Sequence, residues 1–331
     1  MSTAIPPDAP ALVVTQKMKD GLPGAVALER RPVPSPGERQ LLIRTLFSGV
    51  SAGTEMWGNT GYNVSAGWAG SPHVPGYQAV GEVVTVGEGA WQHEGDLIAA
   101  FVPNAHQSYQ LLDAGLAHNL TPSDHLHLSA LFVQPAVGAN ALNMAGVRCG
   151  DNVLVIGQGM IGLCAAMLAR MRGAYVLAAD MTPERLKYST DNCADEVIDV
   201  RSAPVSEQLL ERFPDGVDVV IEASGRTSPE EALKCVRRDG KMIFEGFYPE
   251  QLSFQFTLAH YKQATAFFPV FIGDAPVREA VLRQIHTRLI DIEPLVSDLV
   301  SWKQSADTYY RLFTPERDHL GGIIFDWRDA G

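Results

Sequence analysis

The chain has 331 residues, with 26 Lys and Arg against 38 Asp and Glu for a formal charge of −12, and is 46% hydrophobic and 19% charged. That length holds two domain-sized cores or one elaborate core, and the composition excludes a disordered, collagen-like or disulfide-stapled chain. The acidic balance argues against nucleic acid or an anionic membrane surface as a partner, since both are bound through Lys and Arg.

In chain order, the first ten residues lack the basic start and apolar run of a signal peptide, so a cytoplasmic location is expected. Residues 11–130 read as β-rich. Short β-branched runs (Ala11–Thr15, Gln40–Leu46, Ala79–Val86, Asp96–Val102) are separated by Gly and Pro punctuation. Asn59–Pro75 is a Gly-, Ser- and aromatic-rich loop, long enough to suggest a functional role. From Leu128 the texture turns helical. Strands at Asn152–Ile156, Tyr175–Ala179, Glu196–Val200, Val217–Ala223 and Lys241–Glu245 then alternate with helices near 161–171, 183–193, 204–213 and 229–238. Such alternation predicts an α/β fold, a parallel sheet with helices on both faces. A strand over Thr265–Ile272, a helix over Val277–Leu289 and a terminal strand over Gly322–Trp327 complete the prediction, with Ser301 as a helix cap. The apolar stretch Val153–Met171 is broken by Gly157, Gly159 and Gly162 and reads as strand plus helix rather than a membrane span. Cys149, Cys164, Cys193 and Cys235 form no CxxC pair, which fits free thiols in a reducing compartment.

The strongest motif is Gly157-Gln-Gly159-Met-Ile-Gly162, between the apolar run Val153–Ile156 and a helical pattern. In a dinucleotide fold the first glycine makes the tight turn, and the second lets backbone approach a pyrophosphate. The third lets helix and strand pack closely, with the helix N-terminus facing the phosphates. The next strand ends in Asp180, whose carboxylate suits the ribose hydroxyls of NAD and repels the 2′-phosphate of NADP. Arg185 follows; packing on adenine and assisting a phosphate are both open to it.

With these pieces the chain resembles the medium-chain dehydrogenase/reductase superfamily. The landmarks are Ser48-Gly-Val-Ser-Ala-Gly-Thr-Glu55, the run from Val74-Pro-Gly to Val84, Gly95-Asp96, Gln134-Pro135, the dinucleotide turn and Glu222-Ala-Ser-Gly225. The resemblance implies a GroES-like β-rich catalytic domain (1–130 and 272–331) around a Rossmann doubly wound domain (131–271). Within it, SGVSAGTE, PGYQAVGEVV, Glu245-Gly-Phe-Tyr248 and Ile324-Phe-Asp-Trp327 resemble dehydrogenases that act on the hydroxyethyl group of bacteriochlorophyllide.

Zinc-dependent members place Cys, His and Glu where this chain has Ala52, Tyr77 in Gly76-Tyr77-Gln78, and Gln134. An alanine, a phenol and amides do not supply zinc's usual donors, so a zinc-lacking branch and no metal are expected. Alkoxide charge would then fall to hydrogen-bond donors or a proton relay. By resemblance Thr54 holds the relay hydroxyl, the alternative being a hydroxyl bonding local backbone. Tyr77 is either a donor to a carbonyl oxygen or a wall for substrate, and Glu55 either orients a donor or is a structural acid. His106 is either an acid–base group or a structural strand residue. Trp57, Tyr62 and Trp68 would wall a flat substrate, with Gln78 and Gln134 also on the substrate side.

The resemblance assigns Gly157, Gly159, Met160, Ile161, Gly162, Asp180 and Arg185 to the cofactor, puts Ala223 and Ser224 under its adenosine side, and sets Gly246 and Phe247 at the nicotinamide carboxamide. The expected protein is a zinc-independent NAD(H) oxidoreductase interconverting a secondary alcohol and a carbonyl. It would act on a small molecule and dimerise through the edge at Thr265–Ile272. A sugar or cyclitol dehydrogenase, a C=C or quinone reductase and an inactive NAD-binding protein are the alternatives.

Overall fold

The structure is a computed structural model that describes residues 4–19, 24–60, 72–248 and 251–330, without the side chains of Trp57, Thr60 and Asp318. The chain divides into two units, Met1–Val133 with Leu282–Gly331, and Gln134–Val281.

The first unit begins with the antiparallel pair β1 (Asp8–Gln16) and β2 (Ala25–Pro32). The long β3 (Gln40–Val50) follows and is buried along most of its length. Next come α1 (Ala52–Thr60), β4 (Gln78–Val86), β5 (Leu97–Phe101), β6 (Tyr109–Asp113) and β7 (Ala117–Asn119). Helix α1 occupies the start of the loop expected from Asn59, and residues 61–71 of that loop lie outside the described residues.

The second unit opens with α2 (Val133–Ala145) and then alternates as the sequence predicts. β8 (Asn152–Ile156), α3 (Met160–Met171), β9 (Tyr175–Asp180), α4 (Pro183–Asn192), β10 (Glu196–Asp199), α5 (Val205–Arg212) and β11 (Val217–Glu222) come first. They are followed by α6 (Pro229–Cys235), β12 (Val236–Phe244), α7 (Phe256–Lys262), β13 (Thr265–Phe267) and α8 (Ala275–His286). The six strands are parallel in the order β10-β9-β8-β11-β12-β13. This is the doubly wound Rossmann order, reversing between β8 and β11, where such sheets bind ligands beyond their carboxyl ends.

Two expectations are corrected here. Helix α6, capped by Ser228 and started by Pro229, stops at Cys235 rather than 238 because Val236 turns extended and enters β12. The edge strand stops at Phe267 rather than Ile272; Pro269 has no N–H to give a ladder beyond it.

The chain then returns to the first unit through β14 (Val296–Ser301), α9 (Ser305–Tyr310) and β15 (Gly322–Asp326), Ser301 capping the 3-10 turn between β14 and α9. β15 pairs antiparallel with β3, Ile324 opposite Gly49, in a sheet ordered β14-β15-β3-β4-β5-β7 with β6 also on β3. A GroES-like first unit is thus closed by the C-terminal strand. Its core joins Leu12, Val50, Tyr309, Phe325 and Trp327, while Leu154, Leu177, Val220 and Phe244 belong to the core of the second unit. Cys164, Cys193 and Cys235 are buried free thiols, and Cys149 is exposed. No helix among the described residues is long and apolar enough to cross a membrane.

Candidate active site

In the second unit, Gly157 ends β8 with φ +92°, a left-handed turn disfavoured for other residues, and a Cβ there would meet Ser224 N at 2.7 Å. A Cβ at Gly162 would strike Gly157 O at 1.8 Å, so only glycine lets α3 pack on the turn. Gly159, the N-cap of α3, has open space where a Cβ would stand, and no side chain caps the helix. The first N–H groups of α3 are thus available to an anion. Gln158 points inward, donating to Val155 O at 2.9 Å and accepting from Ser189 Oγ at 3.0 Å. Its N–H donates to Asp180 Oδ2 at 2.6 Å, and Thr182 N–H to Asp180 Oδ1 at 2.7 Å. Asp180 is thereby fixed at the tip of β9, beside the glycine turn. Each of its oxygens retains a lone pair for a further donor.

Met160 and Ile161 occupy the first turn of α3, and Arg185, partly buried, the first turn of α4. Ala223 N–H donates to Ile156 O at 2.8 Å, bringing the end of β11 to the glycine turn. Ser224 N–H and Gly225 N–H each donate to the buried Glu222 carboxylate at 3.0 Å, and Ser224 Oγ bonds it as well. Gly246 N–H donates to Glu222 O at 2.8 Å, and Phe247 is exposed. The assigned cofactor residues of the second unit therefore gather at the carboxyl ends of β8, β9, β11 and β12. Open space at Gly159, an uncapped helix end and an acceptor on β9 fit a dinucleotide.

In the first unit, the residues around Tyr77 form a layered polar cluster. The Tyr77 phenol is hydrogen-bonded to the side chains of Ser51 and Thr54 and lies near Glu55. Burial pushes it up to about 12, and the Glu55 charge adds to the rise while the two hydroxyls oppose it. It is consequently a proton donor at neutral pH rather than a base. Below it, Glu55 Oε1 accepts from Ser51 N–H at 2.8 Å and Glu55 Oε2 lies 3.1 Å from His106 Nε2. His106 Nδ1 lies 2.8 Å from Ser48 Oγ, which accepts from Trp327 Nε1–H at 2.8 Å. A carboxylate only accepts, so His106 Nε2–H donates to Glu55, and Nδ1 of the neutral ring then accepts from the Ser48 hydroxyl.

His106 and Glu55 are 0% and 1% exposed, and the imidazole packs edge-on to Tyr309 and Phe325. A Cβ at Gly76 would meet the His106 ring at 2.8 Å. This corrects the acid–base reading of His106: both nitrogens are committed to protein partners and the ring has no surface for a substrate, so it positions Glu55. Gln78 is likewise corrected, being fully buried with its Oε1 accepting Val133 N–H at 3.1 Å. Gln134, on α2, is also buried. The side chain of Trp57 and the whole of Tyr62 and Trp68 lie outside the described residues. Among the described residues, no group of three or more His, Cys, Asp and Glu side chains would hold a metal ion.

Three residues of the cluster carry no site role in the sequence reading: Ser48 and Trp327, which stand there only as ends of landmark runs, and Tyr309. Tyr309 accepts from Asn59 Nδ2 at 3.0 Å, and burial, with the Glu55 charge adding, pushes its phenol well above the ordinary value. Nothing local marks them, because their partners are 58 to 279 residues away.

Comparison with known proteins agrees with this architecture. The zinc-binding dehydrogenase family matches residues 161–287. Prostaglandin reductase-3 of Mus musculus is 26% identical over 280 residues, covering 83% of this chain and 71% of its own. L-galactonate-5-dehydrogenase of Escherichia coli is 25% identical over 275 residues, covering 73% and 79%. Among solved structures, galactitol-1-phosphate dehydrogenase of Escherichia coli superposes with a TM-score of 0.83 at 18% identity, covering 96% of this chain and 99% of its own. Over residues 161–287 the chain is thus similar to zinc-binding dehydrogenases, and its fold, with the glycine turn and the strand order, is that of the solved galactitol-1-phosphate dehydrogenase.

Proposed function

We propose that this chain is an NAD(H)-dependent oxidoreductase that interconverts an alcohol and a carbonyl, with protein hydroxyls rather than a metal handling the proton. One observation carries the reading: the uncapped Gly157–Gly162 turn stands beside Asp180 at the reversal point of the sheet. Gly157, Gly159 and the first turn of α3 would hold the pyrophosphate, and Asp180 the adenosine ribose. When bound, the nicotinamide supplies the hydride acceptor or donor. Tyr77, protonated and tied to Thr54 and Ser51, donates to a carbonyl oxygen in the reductive direction. In the oxidative direction the same hydroxyl chain carries the proton away. Glu55, held by His106 and Ser51 N–H, fixes the position of that chain from beneath.

The metal-free reading rests on residue type: Ala52, Tyr77 and Gln134 stand where zinc-dependent members of the superfamily carry ligands. For the substrate, the SGVSAGTE and Glu245–Tyr248 pieces support a secondary alcohol on a flat tetrapyrrole, the hydroxyethyl group of a bacteriochlorophyllide type. A polyol is the second reading, favoured by relatives named sorbitol dehydrogenase and L-galactonate-5-dehydrogenase. NADH fluorescence on binding, followed by turnover across tetrapyrrole, polyol and simple alcohol panels, tests the proposal. NADH binding without turnover on any panel would replace it with an inactive NAD-binding protein.

A second copy is the proposed partner. β13 is an edge strand, and Phe268, Val270 and Phe271 just beyond it are 66%, 75% and 72% exposed. Sedimentation should show a dimer that Val270→Glu converts to monomer; a wild-type monomer would refute it.

A further inference from the structure

Two buried carboxylates stand at adjacent strand ends in the second unit, and they are served very differently. Glu222, at the end of β11, accepts from Ser224 N–H, Gly225 N–H and Ser224 Oγ. Glu245, just past β12, is held against it by a backbone bond to Glu222 O at 2.9 Å. Both side-chain oxygens of Glu245 are buried, and neither has a hydrogen-bond partner. Among the described residues, the titratable groups that face it are Glu222 from β11 and Cys164 from α3, and neither is a cation. A buried carboxyl without a donor is costly and calls for an explanation.

Its place in the fold supplies one. In a doubly wound sheet each half takes one mononucleotide. Asp180 marks the adenosine half on β8-β9-β10, which leaves β11-β12-β13 to the nicotinamide half. Glu245 therefore sits at the carboxyl end of a strand in the half where the cofactor's charge changes: the oxidised ring is a cation and the reduced ring is neutral.

We propose that Glu245 takes the nicotinamide end of the bound dinucleotide, keeping its proton against the reduced ring and releasing it to solvent against the cationic oxidised ring. The proposal rests on the NAD(H) reading above. Burial pushes this carboxyl up to about 8, with the Glu222 charge adding, so the proton is in place at neutral pH until a cation arrives. Rising pH then favours the oxidised cofactor and, with it, oxidation of substrate.

The test is the affinity of the full chain for NAD+ and for NADH, by tryptophan quenching and NADH fluorescence, between about pH 6.5 and about pH 8.5. The wild type should tighten on NAD+ by about tenfold across that range and change by less than about twofold on NADH. In Glu245→Gln the NAD+ profile should be flat. Mixing wild type with NAD+ in weakly buffered solution should release protons, and mixing with NADH should not; this reading needs no variant. Equal NAD+ profiles in wild type and E245Q, or no proton release with NAD+, would overturn the role of Glu245 while leaving NAD(H) binding intact. Failure of both cofactors to bind at any pH would overturn the dinucleotide reading and this one with it.

Discussion

The two units hold their chemistry in opposite ways. In the second, the glycine turn proposed to hold the cofactor is a run of six residues, Gly157 to Gly162, whose glycines act through backbone shape and open space. In the first, Ser48, Glu55, His106, Tyr309 and Trp327 come from β3, α1, the segment before β6, α9 and the residue after β15. They act through side-chain hydrogen bonds in a closed interior. A local motif can be read from its spacing. A cluster assembled across the chain is visible only once the sheet pairs.

That contrast can be broken from either side. The largest effect should come from His106→Ala, which removes the ring that joins the buried Glu55 and Ser48 and leaves a cavity among Tyr309 and Phe325. Unfolding in denaturant should show a loss of about 2–4 kcal/mol, and a loss below about 1 kcal/mol would show that the cluster is not held as a unit. Tyr77→Phe comes next: turnover should drop about a hundredfold or more, while stability changes by about 1 kcal/mol. If kcat is kept and only KM rises, Tyr77 is a substrate wall and not a donor. Asp180→Ala should weaken NAD and relax discrimination against NADP at least tens-fold, since charge-assisted bonds are worth about 1.5–3 kcal/mol each. An unchanged NAD/NADP ratio would sink the assignment.

The last effect is read as a slope of stability against pH rather than as a single loss. The Glu245 carboxyl stands at about 8 in the folded chain and in the ordinary glutamate range when unfolded. Between those values the folded state holds a proton that the unfolded state has lost. Stability from this group is therefore greatest at low pH and falls as pH rises to about 8, by at most about 1.4 kcal/mol per pH unit. Glu245→Gln should flatten that part of a melting-temperature profile; an unaltered slope would mean the carboxyl is ionised throughout.

Legibility followed the same division. The strands β8 to β12 were readable because buried parallel strands are continuous apolar runs set off by glycine and helix. β2 was missed because Ala25–Pro32 is only half-buried and ends in charged residues, and α1 because Gly53, Gly58 and Thr60 are poor helix formers. The burial of His106 and Gln78 had no local signal, since both sit in sequences that would serve equally well at a surface. Glu245 did have one: a lone acid directly after the apolar run Met242-Ile-Phe244, at the carboxyl end of a parallel strand. The edge at Thr265 was read too long because aromatic and β-branched residues continue past Pro269.

The central claim is hydride chemistry on NAD(H) with the proton carried by Tyr77, Thr54 and their neighbours and no metal in the reaction. The most direct test is NADH formation from NAD+ and an accepted alcohol, before and after exhaustive chelation with the metal content of the protein measured. The account predicts the same rate in both samples. Loss of activity on chelation, restored by added zinc, would contradict it.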